Sequence, residues 1–340
     1  MQTSVINLIR EGLLEKRENL EHWQVATPES EKQLELGYAD ESAVDTELKV
    51  IDTALEKMDE GVYGICEICH ESVDTELLQM DFSATVCLGH YTEEELRQLE
   101  SELELSQVVQ RALLPQRVPS IGGFDIAAFS RPAQIVTGDY FDFLQFEDGT
   151  YGFVVGDVSG HGVSAGMLMG SLQTVFHTLT PETDSPVDVL RKINRLYVRN
   201  INFTTFVTVF FAKLDPRSRA LSYASAGHNP PILHRPSTHE TSWLRPTGAA
   251  IGLMDDYKVH LENLQLEEGD TLVLYTDGII EALNPQGNEQ FGYERLAEIV
   301  HQNETLPANE LTQKVRQALY DFTQSTMLAD DITLIVCMVR

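Results

Sequence analysis

The sequence predicts an α+β protein: a strand-rich C-terminal region of two antiparallel sheets with helices outside, preceded by an α-helical hairpin, a small zinc finger and a helical linker. Three observations carry this. From Pro115 to Arg340 short strand-like runs follow one another, with fewer helical stretches between them. Near the N-terminus apolar residues recur at three- and four-residue steps. Between these regions, two pairs of soft or imidazole ligands stand at matching spacings.

At 340 residues, 42% hydrophobic and 23% charged, the chain has enough apolar material for two or three domains. A formal charge of -29 and a pI near 4.5 argue against a nucleic-acid backbone or an anionic membrane as partner, and favour divalent cations. No apolar run approaches the roughly 18 residues of a membrane span. The opening MQTSVINLIREGLLEKRENL mixes charged with apolar residues, unlike a secretory signal, so a cytoplasmic location is expected.

Ile6, Ile9, Leu13, Leu20 and Trp23 mark one helical stripe, and Val44, Leu48, Ile51, Leu55 and Met58 mark a second. Pro28, Gly37 and several acids between Thr27 and Asp45 favour an antiparallel hairpin over two unrelated helices. Next, Cys66 and Cys69 enclose two residues, 17 residues follow, and Cys87 and His90 again enclose two. Two such knuckles can wrap one tetrahedral, structural zinc and leave no open position for catalysis. A c-type haem attachment at Cys66-Glu67-Ile68-Cys69-His70 leaves Cys87 and His90 without a role, and a redox CxxC lacks a βαβ setting. Cys337, in an apolar terminal run, reads as a core residue.

From Thr92 to Leu114, residues Leu96, Leu99, Leu103 and Leu113 keep a roughly heptad seam that Pro115 ends. This predicts a connecting helix, either a spacer or the coiled coil of a homodimer. The expected division is therefore 1–91 for hairpin and finger, 92–114 for the linker, and 115–340 for the C-terminal domain. There the strand-like runs are IAAF, YGFVVGDV, TTFVTVFFAKLD, LSYASAGH, PPILHR, DTLVLYTDG and DITLIVCMV. Helices are predicted over Ser164–Leu179, Pro186–Asn200, Tyr293–Gln302 and Ala308–Ser325.

The chemistry concentrates at strand edges that end in aspartate. Asp139 and Asp142 flank two aromatics, the Glu147-Asp148-Gly149 turn separates two apolar runs, and the second run delivers Asp157 into Val158-Ser159-Gly160-His161-Gly162. Asp277 closes TLVLYTD, and Asp330 and Asp331 stand before DITLIVCMV. Carboxylates without cysteine or histidine select hard ions such as Mg2+ or Mn2+. Two such ions can activate water and offset charge on a phosphoryl group under in-line attack. Asp157 is the best candidate to bridge them, with the Val158 carbonyl beside it, while His161 is either an acid toward the leaving oxygen or a supporting residue.

Over roughly residues 1–95, ELKVIDTALEKMDEGVYGICEIC with the two knuckles resembles the DksA/TraR zinc-finger family. That resemblance implies a coiled-coil hairpin with a small finger, and in some members a hairpin tip that enters RNA polymerase. From Leu105 to Arg340 the chain resembles the SpoIIE-type branch of the type 2C (PPM) protein phosphatases. The matching stretches are LELSQVVQRALLPQ, RPAQIVTGDYFDF, GDVSGHGVSAGMLM, TTFVTVFFAKLD, ASAGHNPPIL, TGAAIGL, LVLYTDGIIEA and ADDITLIV, in the family's order. Thr137 departs from the glycine common before Gly138-Asp139. This second resemblance implies an αββα sandwich, a centre of two Mn2+ or Mg2+ ions, and hydrolysis of phosphoserine or phosphothreonine. Carried over by motif, the catalytic metal ligands are Asp139, Asp157, the Val158 carbonyl, Asp277 and Asp330, with Asp331 adjacent. The branch's usual substrate is a phosphorylated anti-sigma factor antagonist of the STAS type, and its usual regulator is an N-terminal sensor, here the finger module.

Two rivals stand beside this reading. Gly162-Val163-Ser164-Ala165-Gly166 fits a nucleophile elbow, but its serine falls well past the strand end that such an elbow requires. A transcription modulator acting on RNA polymerase through the hairpin would have no need of four assembled carboxylates.

Overall fold

The two N-terminal stripes meet in one apolar cluster, in which Leu13 packs with Ile51, Ala54 and Leu55, flanked by Ile6, Ile9, Leu20 and Met58. The structure is a computed structural model that describes residues 6–7, 9–10, 12–14, 17–18, 20–21, 24, 41–80, 82–160, 162–180, 185–200, 206–254, 256–325 and 328–340. Trp23, residues 25–40 of the expected hairpin turn, and His161 lie outside these. The described positions between 6 and 24 are helical, and α1 spans Glu41–Asp59. Arg10 pairs with Asp59, Arg17 with Asp52 at 2.8 Å, and Gln24 with Asp45 at 2.8 Å. Later residues of one stretch thus meet earlier residues of the other, so these two helical stretches run in opposite senses.

By compactness the chain divides into Met1–Glu102 and Leu103–Arg340. In the first unit a short helix α2 (Thr75–Met80) adds Leu77 and Leu78 to the apolar cluster. Helix α3 (Glu93–Leu113) begins in the first unit and ends in the second. Its start is a capping box: the Glu95 carboxylate accepts from Thr92 N–H at 2.8 Å, and Thr92 Oγ1 accepts from Glu95 N–H at 3.3 Å. After its last turn, the Gln116 amide donates to the Arg111 and Leu114 carbonyls, satisfying groups that the helix end leaves open.

In the second unit, β1 (Phe124–Arg131), β10 (Ile332–Val339), β9 (Thr271–Tyr275), β6 (Ile232–Arg235) and β7 (Glu240–Trp243) form one sheet in that order. The other runs β2 (Asp139–Gln145), β3 (Tyr151–Val158), β4 (Val207–Asp215), β5 (Ala220–Ala226) and β8 (Glu262–Gln265). All pairings are antiparallel. Phe141, Phe153, Val155 and Phe210 of one sheet pack on Leu272, Leu274, Ile335 and Cys337 of the other. Helices α4 (Gly162–Leu179) and α5 (Pro186–Asn200) bury Met169, Leu172, Phe176 and Ile193 against Tyr140, Val154 and Phe211 on the outer face. Helices α7 (Tyr293–Gln302) and α8 (Ala308–Thr323) do the same with Leu296, Val300 and Val315 against Tyr275, Leu334 and Val336. The result is helix, sheet, sheet, helix, and Cys337 is a core residue as expected.

Covering both faces explains why β10 reads ITLIVCMV without alternation and is buried along its whole length. Three expectations shift in detail. Helix α4 starts at Gly162, not Ser164, which places Ser164 inside its first turn and removes the strained strand-to-helix corner of an elbow serine. Helix α8 stops at Thr323, where Gln324 takes the left-handed conformation (φ 49°) that closes a helix. The edge strands β7 and β8 had no predicted counterpart.

Candidate active site

Side-chain parity decides where each acid points. Alternate residues of a strand face opposite sides, so on β2 Asp139 shares the inter-sheet face with Phe141, while Asp142 shares the helix-covered face with Tyr140. On β3 Asp157 likewise joins Val155 and Phe153 on the inner side. Asp139 and Asp157 stand directly opposite one another in the β2–β3 ladder. Asp142 does not join them: it accepts from Tyr140 Oη at 2.8 Å and pairs with His177 at 2.7 Å.

The second sheet supplies the rest at the same end. Tyr275 pairs with Leu334, and the Thr276 N–H donates to the Thr333 carbonyl at 3.1 Å, holding the segment after β9 against the start of β10. Asp277 does not close β9; the chain turns there into the short helix α6 (Asp277–Ile280). The glycine of Thr276-Asp277-Gly278 has a steric reason, since a Cβ at Gly278 would stand 2.0 Å from the Asp331 carbonyl oxygen. Only a residue without a side chain lets Asp277 approach Asp330 and Asp331 this closely.

Hydrogen bonds tie the two sheets together here. Thr276 Oγ1 donates to Asp139 Oδ2 at 2.8 Å and accepts from the Thr333 N–H at 2.9 Å. Asp331 spends both carboxylate oxygens on backbone, accepting from Ala133 N–H and Gly138 N–H at 2.7 Å each. It clamps the loop before Asp139, a role its sequence position beside Asp330 did not distinguish from ligation. From α3, Gln110 Nε2 donates to the Thr137 carbonyl at 2.7 Å, and Gln110 Oε1 accepts from the Thr137 N–H at 2.8 Å. Sequence reasoning missed Gln110 and Thr276; a polar residue interrupting the α3 apolar seam was the only signal for the first.

Burial and like charge raise these carboxyls. Burial, then the charges of Asp331 and Asp277, hold Asp139 well above its ordinary value, despite the Thr276 hydrogen bond. Burial and the charges of Asp139, Asp277, Asp330 and Asp331 push Asp157 up to about 9. Asp277 rises to about 6 through burial, Asp330 and Glu281. A set that disfavours its own ionisation this strongly is one that a divalent cation would relieve. The oxygen-only chemistry fits Mg2+ or Mn2+.

A second group converges in the first unit. The ligand atoms of Cys66, Cys69, Cys87 and His90 all lie within 4.8 Å of one another. A bridge between Ile65 and Ser72 and a left-handed His70 (φ 58°) shape the first knuckle. Burial raises the Cys66 thiol, but the N–H groups of Cys69, Cys87 and Ile68 outweigh it and bring it down to about 6. Burial and the neighbouring Cys69 and Cys66 drive Cys87 the other way, to about 11. Three sulfurs and one imidazole at this closeness suit tetrahedral zinc. Among the described residues, such sets of three or more converge here and at His234, His301 and Glu304; the sheet-end aspartates are spaced more widely.

Residues 147–340 match the family model described as Stage II sporulation protein E (SpoIIE). The chain is 30% identical over 268 residues to the phosphoserine phosphatase RsbU of Bacillus subtilis (strain 168), covering 76% of this chain and 78% of that one. In structure it resembles the SiaA-PP2C domain of Pseudomonas aeruginosa, with a TM-score of 0.65 at 21% identity, over 73% of this chain and all of the other. A Mycobacterium tuberculosis structure of RsbU and RsbW domains matches with a TM-score of 0.57 at 29% identity, over 67% of this chain and 63% of that one.

Proposed function

This chain belongs to the SpoIIE family and is a protein-serine/threonine phosphatase, and we propose that Asp139, Asp157, Asp277 and Asp330, with the Val158 carbonyl, hold its two Mn2+ or Mg2+ ions. One observation carries the assignment: carboxylates from both sheets meet at one end of the sandwich, with Asp139 buried, Asp157 and Asp277 partly buried and Asp330 at the exposed rim, and burial and the neighbouring charges raise the proton affinity of the first three. When bound, the ions lower the pKa of water and offset charge gathering on the phosphoryl oxygens.

The chain's own residues do the positioning. Thr276 fixes the rotamer of Asp139 by donating to Oδ2. Asp331 holds the Gly138 N–H and so the approach of Asp139 to Asp157. The raised carboxyls carry protons before metal arrives, so metal uptake releases protons and its affinity rises with pH. Ser164, within the first turn of α4, has no part in this chemistry.

The substrate in this reading is a phosphorylated regulatory protein in sigma-factor control, of the STAS type that acts as an anti-sigma factor antagonist. The finger module, a DksA/TraR-like hairpin carrying one zinc on Cys66, Cys69, Cys87 and His90, is its regulatory input. The test is phosphate release from a phosphoserine protein by the full chain with Mn2+, beside Asp157→Asn and a chain lacking residues 1–91. Release by wild type alone supports the ligand assignment, and equal release by Asp157→Asn overturns it. A changed rate on deletion supports regulation by the finger module, and an unchanged rate removes that role.

A further inference from the structure

A cluster of three histidines and one glutamate lies in the second unit, outside the aspartate site. His234, in the centre of the hairpin strand β6, is fully buried, and its Nε2 stands 2.7 Å from Glu304 Oε2. His301, in the last turn of α7, brings Nδ1 to 3.9 Å from the same oxygen, and His239 of the β6–β7 turn brings its Nδ1 to 3.9 Å as well. The His301 ring packs edgewise on both others, with centroids 5.2 Å from His234 and 5.9 Å from His239. The ligand atoms of His234, His301 and Glu304 lie within 4.8 Å of one another.

We propose that His234 Nε2, His301 Nδ1 and Glu304 form a binding site for a divalent transition-metal ion of the zinc class, with its fourth position open to water.

Hydrogen bonding alone leaves the arrangement unexplained. Two of the three imidazole nitrogens are 3.9 Å from the carboxylate, beyond hydrogen-bond reach. Around a tetrahedral ion with ligands at about 2.0 to 2.2 Å, neighbouring ligand atoms stand about 3.3 to 3.6 Å apart. The observed 2.7 and 3.9 Å to Glu304 straddle that separation, so the three side chains stand close to the spacing that an ion would impose. Mixed imidazole and carboxylate donors select zinc, nickel or copper over magnesium, and zinc suits a tetrahedral set without redox chemistry.

The outer layer is also built. Thr241, directly across the β6–β7 ladder from His234, holds His234 Nδ1 at 2.9 Å through its hydroxyl. With the Nδ1 proton donated to that hydroxyl, the Nε2 lone pair faces Glu304 and the ion; ring nitrogens of metal-binding histidines are commonly fixed this way.

This ion is separate from the phosphatase centre. His234 pairs with Thr271 at the start of β9, while Asp277 follows its far end, and the four strand steps between Thr271 and Tyr275 at about 3.4 Å each keep the two sites at opposite ends of β9. The ion would pin the β6–β7 edge hairpin to the connection between α7 and α8, a structural rather than a catalytic duty.

The test is equilibrium dialysis of the full chain against Zn2+ with excess Mg2+, counting zinc per chain by mass spectrometry, for wild type and for His301→Ala/Glu304→Gln. The variant should hold one zinc fewer, and the same difference of one should persist when both proteins also carry Cys66→Ser, which separates this site from the cysteine cluster. Near-ultraviolet circular dichroism and unchanged phosphate release with Mn2+ check that the variant is folded. If the double variant fails to fold, His301→Ala alone, at a half-exposed position, should weaken zinc binding at least tenfold. Equal zinc content and affinity in wild type and variants would reduce the cluster to hydrogen bonds and overturn the site.

Discussion

Gln110 grips the Thr137 peptide from both sides, donating to its carbonyl at 2.7 Å and accepting from its N–H at 2.8 Å, one residue before the glycine that leads into Asp139. All four groups are buried. Gln110→Ala strips two buried peptide groups of their partners and should destabilise the second unit by about 2 kcal/mol in urea unfolding. The loop it releases ends at Asp139, so turnover should fall as well.

Asp157→Asn removes a proposed ligand and a carboxyl whose proton affinity burial and neighbouring charges raise. Phosphate release should drop at least roughly 100-fold. Above about pH 4 the metal-free variant should melt higher than wild type, because folding no longer has to draw a proton onto a carboxyl that burial and neighbouring charges lift to about 9. A variant that loses activity and melts lower in the absence of metal would mean that Asp157 is structural.

The same raised affinity gives a pH signature. A carboxyl whose folded value lies above its unfolded 3.8 contributes stability below 3.8 that is lost as pH rises toward the folded value, about 6 for Asp277 and about 9 for Asp157. Metal-free protein should therefore lose melting temperature between about pH 4 and 9. Mn2+, standing in for the protons, should raise the melting point more at pH 8 than at pH 5.

His228 predicts an acid-side loss of separate origin. Burial brings its imidazole from 6.5 down to about 4, so the unfolded chain gains a proton before the folded chain does. The stability this group contributes is complete above pH 6.5 and lost as pH falls toward 4. Its Nδ1 shares a 2.9 Å hydrogen bond with Thr208, which a glutamine could replace. His228→Gln should shift the acid unfolding midpoint downward, as followed by circular dichroism.

Cys66→Ser tests the finger. Loss of one thiolate from a four-ligand set should remove one zinc per chain and lower the melting point of the first unit, and calorimetry should show that transition move alone. Unchanged zinc content would contradict the assignment of the four ligands.

Much of this was legible from sequence because burial on both faces leaves a strong signal. The helices α5 and α7 with their clear stripes were placed at their observed ends, and the unbroken apolar β10 to within one residue, its strand starting at Ile332 rather than Asp331. Strands β7 and β8 were invisible because edge strands such as Glu240–Trp243 carry polar, exposed side chains that look like loop. The aspartates stood out as acids after apolar runs, but their depth did not: which face a strand turns inward is a matter of register, and that separated Asp139 from Asp142. Gln110 and Asp331 act through backbone contacts, and Thr276 through the Asp139 carboxylate 137 positions away, none of which a local pattern announces.

The bond from Thr276 to Asp139 joins residues on different sheets, and the proposed ligands divide the same way, Asp139 and Asp157 on one, Asp277 and Asp330 on the other. Neither half possesses a centre of its own. An ion held there acts as a rivet through the sandwich, and its binding free energy is felt only by global opening, not by fraying of either layer. Amide exchange in β2 and β10, free to proceed by independent openings in the bare protein, would then collapse onto one shared event once the ions are in place.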